Sequence, residues 1–174
     1  MAFTQVKKRL GKLVAQSKKA TYPQLLPHLL KNRISTFAPI LGAGIRLELL
    51  DLDNGLCVVG LPLTRLNALH KTHFGSNLHM MADPFLLMLL THLLGKDYQI
   101  IETDSQIVFL EPSSDKITAR IKVSHQELSD IIQACNQHNT TTRHYQINLT
   151  DSQQKTIAII KKNFTISHIG KKQF

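Results

Sequence analysis

From Ser76 to Leu94 the chain is almost wholly apolar, and this run opens from a polar, glycine-bearing turn, Thr72-His73-Phe74-Gly75. A helix that is apolar around its whole circumference has to be buried on all sides. The rest of the chain must therefore wrap around it. His79, Asp83, Pro84 and His92 interrupt the run, which keeps it below the ~18 uninterrupted apolar residues of a membrane span. Asp83 lies two turns into the expected helix. A carboxylate there is costly unless it is paired or used. The turn before it leaves free backbone N–H groups at the positive end of the helix dipole. Together these outline an anion-stabilising helix start with a desolvated base nearby.

What wraps the helix reads mostly as strands. Ile45, Leu47 and Leu49 alternate with Arg46 and Glu48, and Leu56 to Leu61 follows Asp53-Asn54-Gly55. An Asn-Gly pair between two such runs predicts a tight hairpin with positive φ at both turn positions. Gly95 is placed to cap the apolar helix. Beyond it, Tyr98–Ile101 and Gln106–Leu110 read as a hairpin about Asp104-Ser105, and Lys116–Val123 as a further strand. Ser124-His125-Gln126-Glu127 is a capping box. It opens a helix with Leu128, Ile131, Ile132 and Cys135 on one face. Arg143–Leu149 and Thr156–Ile166 form a last hairpin about Asp151-Ser152-Gln153. Links this short favour antiparallel pairing. The economical packing is an α+β arrangement, an antiparallel sheet curled about the long buried helix.

Upstream, Phe3, Val6, Leu10, Leu13 and Val14 recur at helical spacing among lysines, and Thr21 and Pro23 open a second helix with Leu25, Leu26, Leu29 and Leu30. Phe37 to Gly44 reads as a loop. The 174 residues suit a single domain, 1–174: a basic helical extension over 1–34 and a core over 35–174. The N-terminus lacks an apolar signal core. Cys57 and Cys135 stand far apart without metal-ligand spacing, and predict reduced core thiols in a cytoplasmic protein. The formal charge of +9 is concentrated at the two ends, with no acid before Glu48. Such a field favours anionic partners. Aromatics make up only 6% and are not interleaved with basic residues, which argues against nucleic acid. A basic amphipathic first helix also suits a membrane surface. The sequence holds no metal-binding HExxH spacing, Gly-rich phosphate loop or G-x-S-x-G elbow.

The residues also carry a resemblance. Thr72-His73-Phe74-Gly75-Ser76, then Asp83-Pro84-Phe85, then Leu94-Gly95-Lys96-Asp97-Tyr98 and Ile107-Val108-Phe109-Leu110-Glu111-Pro112 resemble an uncharacterised thioesterase-like branch of the hotdog superfamily. Asn67 fits the same pattern. The resemblance runs from about Pro39 to the C-terminus. It implies a hotdog fold and acyl thioester chemistry on acyl-coenzyme A or acyl-carrier protein. It also implies a homodimer or a dimer of dimers with its sites between subunits. Coenzyme A would enter as part of the substrate, with no separate cofactor. Many hotdog thioesterases carry a second glycine in this turn, where the chain has Ser76 and Asn77.

Thioester hydrolysis needs amides to stabilise an oxyanion and a base to activate water. The Gly75 and Ser76 amides supply the first, and Asp83, strengthened by burial, the second. Ser76, His79 and Asp83 fall on one helical face at i, i+3 and i+7, so His79 is a partner for Asp83. Asp83 before Pro84 also has the form of a helix cap, in which case the helix is broken or kinked there. Thr72, His73 and Phe74 line the turn, and Asn67 holds it or orients a water. Two further readings stand beside hydrolysis. One is a non-catalytic binder of acyl-coenzyme A or fatty acid. The other is a dehydratase-like enzyme, which requires a histidine such as His73 across the pocket from Asp83.

Overall fold

The computed structural model describes residues 34–169. The order is α1 (Ala38–Ala43), β1 (Arg46–Asp51), β2 (Leu56–Leu61), β3 (Ala68–Leu69), β4 (Thr72–His73), α2 (Gly75–His79), α3 (Phe85–Leu94), β5 (Tyr98–Phe109), β6 (Ile117–Lys122), α4 (His125–His138), β7 (Thr140–Thr150) and β8 (Thr156–His168). The two helices expected between Phe3 and Leu30, and the extension 1–34 they make up, lie outside the described residues apart from Ile34.

Six strands form one antiparallel sheet in the order β1-β2-β6-β7-β8-β5, and β3 and β4 form a separate small ribbon. Strand alternation sends Cys57, Val59 and Leu61 of β2, Ile117, Ala119 and Ile121 of β6, and Ile160, Phe164 and Ile166 of β8 into one core. α3 closes that core with Phe85, Leu86, Leu89, Leu90 and Leu94, and α4 adds Ile131 and Cys135 beside it. This is the expected α+β hotdog architecture, a sheet wrapped about an apolar helix.

Several local expectations are corrected. The apolar run is not one helix. α2 ends at His79, residues 80–84 form turns, and α3 starts at Phe85, with a cis Asp83–Pro84 bond between them. Pro84 has no N–H to donate, so helical pairing cannot run through it. α3 is not buried all round either, since Thr91 and His92 are exposed. The strand signals on either side of Asp104 belong to one long strand, β5, and not to a hairpin. It pairs with β8 along its whole length and absorbs the polar residues with a bulge between Glu102 and Asp104. The β1–β2 link is a loop over residues 52–55 that buries Leu52, and only Gly55 has positive φ (59°). There the Asp51 carboxylate takes the Asn54 backbone and side-chain N–H groups. Residues 38–43, read as loop, are the short helix α1, stopped by Gly44 at φ 76°.

Other signals act as read. Ser124 Oγ accepts from the Glu127 N–H at 3.1 Å and caps α4. The Gly95 N–H closes α3 on Thr91. Cys57 and Cys135 are buried free thiols, and burial pushes Cys57 up to about 12.

Candidate active site

The polar turn is built by three side chains. Asn67, buried, accepts the Thr64 N–H at 2.7 Å and donates to the carbonyls of Ala43 and Pro62 at 3.1 and 3.0 Å. Its amide ties the loop after β2 to α1 and so holds the turn. Thr72 closes the ribbon by donating to the Leu69 carbonyl. His73, also buried, places Nε2 2.6 Å from the Asp115 carbonyl, which makes that nitrogen the donor. His73 Nδ1 is enclosed without a partner.

The chain then enters α2. Gly75 and Ser76 stand in its first turn, where no carbonyl four residues back exists for their N–H groups. Gly75 sits beneath the Phe109 ring: a Cβ there would lie 2.9 Å from Cζ. Around it opens a cavity of about 310 Å³ lined in part by Thr72, His73, Leu78, Phe109 and Ile157. Ser76 is exposed, and Phe74 does not line this cavity. Phe74 lines a second hollow with Asn67, Leu66 and Met80.

Asp83 differs most from expectation. It is not desolvated, since 47% of its side chain is exposed. It does not cap α3, whose N-cap is Pro84 without a side-chain bond. It does not meet His79, which bonds Ser105 of β5 through Nε2 at 2.7 Å. The helix break removes the i, i+4 register on which that contact depended. The Asp83 carboxylate is instead hydrogen-bonded by Lys162 of β8, which is fully buried and also bonds Glu102 of β5 at 2.7 Å. Within one chain, the cavity that His73 and Gly75 line does not include Asp83. The dehydratase arrangement, a histidine facing the acid across that cavity, is therefore not formed by one chain.

Lys162, Glu102 and Ser105 are absent from any motif. Their signal is a break in alternation. Lys162 stands in the inward row Ile160, Lys162, Phe164, Ile166, and Glu102 in the row Tyr98, Ile100, Glu102. A charge in such a row asks for a partner across the core. Among the described residues no group of three or more metal-ligating side chains gathers, and no helix is long and apolar enough to cross a membrane.

Comparison with known proteins bears on this arrangement. The family described as "Domain of unknown function (DUF4442)" matches residues 28–166. No curated protein matches the chain. Among solved structures, a Pseudomonas aeruginosa protein of unknown function, described as a probable thioesterase, superposes with a TM-score of 0.71 at 14% identity, over 81% of this chain and 95% of its own. A thioesterase from Haemophilus influenzae gives 0.58 at 13%, over 82% and 92%. The E. coli PaaI protein, from the phenylacetic acid degradation operon, gives 0.54 at 23%, over 80% and 89%. These likenesses establish the hotdog fold.

Proposed function

Because the chain belongs to the DUF4442 family and has the build of thioesterase-family hotdog proteins, we propose that it hydrolyses acyl thioesters, with acyl-coenzyme A or acyl-carrier protein as substrate. The observation that carries this reading is the half-exposed Asp83 carboxylate, held by Lys162 on the turn that follows α2. An anchored carboxylate with an open side is the equipment of a general base. Asp83 takes a proton from water as the water oxygen attacks the thioester carbonyl. The Gly75 and Ser76 N–H groups receive the charge that develops on the carbonyl oxygen. The C–S bond then breaks, and the departing thiolate regains a proton. Apolar walls at Leu78, Phe109 and Ile157 suit an acyl chain, and the basic sequence of the two chain ends suits the coenzyme phosphates.

The site requires two chains. β5 is an edge strand of twelve residues with Ile101, Val108 and Phe109 exposed. An edge that long and apolar calls for a cover. A second copy laid along it would bring one chain's Asp83 to the other chain's Gly75 cavity, in a cytosolic homodimer.

The test is thiol release from acyl-coenzyme A substrates with short, long and aromatic acyl groups, beside Asp83→Asn. Turnover that disappears in the variant supports the reading. Absence of turnover on every member, with thermal stabilisation by one of them, replaces it with a non-catalytic acyl-coenzyme A binder.

A further inference from the structure

Lys162 has no place in the packing logic of its strand. It is fully buried, in a row whose other members are Ile160, Phe164 and Ile166. A leucine or methionine would fill that space without the cost of desolvating an ammonium, and exchanging a buried ion pair for apolar groups is often neutral or stabilising. What the lysine does that they would not is hold two carboxylates at once, Asp83 and Glu102. Both are open outward, with 47% and 28% of their side chains exposed. Asp83 lies on a turn and not on a helix, and its carboxylate caps neither α2 nor α3. The bond from Lys162 to Asp83 Oδ1 is what sets its direction. Around the ammonium stand its cross-strand neighbours: Ser105, which carries His79, and Tyr145, whose hydroxyl donates to Glu127 and not to the cluster.

We propose that Lys162 is a positioning residue for the thioester site: Glu102 anchors its ammonium, and the ammonium fixes the Asp83 carboxylate with Oδ2 turned to the reacting water. Lys162 touches no substrate and acts through Asp83. The inference rests on the hydrolase reading and deepens it.

The experiment is a kinetic cycle on the full chain with Lys162→Met, Lys162→Arg, Asp83→Asn and the double variant Asp83→Asn/Lys162→Met. kcat and KM for thiol release are read separately, and folding is checked by near-UV circular dichroism. Lys162→Met is expected to lower kcat at least about tenfold with KM held within about threefold. Lys162→Arg should restore part of the loss. The double variant should be no slower than Asp83→Asn alone, because groups that act as a unit are non-additive. A folded Lys162→Met with the parent's kcat, or losses that multiply in the double variant, overturns the proposal. Should Lys162→Met fail to fold, Glu102→Gln carries the test. It leaves Lys162 with one anchor, and kcat should fall about threefold or more at unchanged KM; an unchanged kcat overturns the proposal. A parent chain that cleaves no acyl thioester overturns the hydrolase reading and this one together. A parent that turns over beside an indifferent Lys162→Met overturns this one alone.

Discussion

Asp83 is bound on its inner side and open on its outer side, so its removal separates chemistry from folding. Asp83→Asn leaves Lys162 its bond to Glu102 and therefore strands no buried charge. Thiol release should fall about 10²–10⁴-fold, the usual worth of a general base, while the melting temperature moves by only a few degrees. Cys57 makes a second residue-scale prediction. Its thiol is pushed up to about 12 in the folded chain from an ordinary 9.0. The unfolded chain therefore loses that proton first as pH rises. Stability from this thiol is full below about pH 9 and declines above it, by at most about 1.4 kcal/mol per pH unit, until the folded thiol ionises too. Urea unfolding at pH 8 and pH 10.5 should show a smaller alkaline loss in Cys57→Val than in the parent. The native thiol should also resist a disulfide reagent at pH 8.

At the scale of elements, legibility followed how local the deciding force was. The Ser124 N-cap and the stop at Gly95 are set by residues within one turn, and both appear where the sequence puts them, although the Glu127 carboxylate turns to Tyr145 and not back to Ser124. Ser124→Ala should cost about 1 kcal/mol in urea unfolding, the usual worth of an N-cap. The errors came where distant parts decided. Asp104-Ser105 has turn chemistry, but β8 offers partners along the whole strand, and the pair sits opposite Asn163 and Lys162 just past a bulge at Thr103. The apolar run 76–94 is the exception, since it is broken by a local cause, Pro84, which the sequence itself displays. The site was legible in part. Gly75 does border a cavity and Asp83 does stand on an open turn, but the cavity does not include Asp83 and His79 bonds Ser105 in its place. The Lys162–Glu102 anchor was hidden because strand residues so far apart in sequence meet only through sheet register.

At the scale of the whole molecule, one prediction concerns assembly. If β5 is covered by a second copy, paired charges on it should repel the partner. Ile101→Lys/Val108→Lys should sediment as a monomer where the parent sediments as a dimer, and should lose thiol release with the β-sheet signal intact. The bulge in β5 has a consequence for this edge and for the site alike. Glu102 pairs with Phe164, and Asp104 already pairs with the next residue, Asn163, so Thr103 is an extra beat in the ladder. That beat lets Glu102 and Ser105, an odd number of positions apart, both look inward. Were Thr103 taken into the ladder as an ordinary rung, the ribbon would be perfectly regular and its inner surface useless. If the first half of the strand stayed in place, Ser105 and Ile107 would turn to solvent, while Asp104 and Val108 would turn to the core. One residue out of phase thus decides whether the acid's anchor and the histidine's partner share a room.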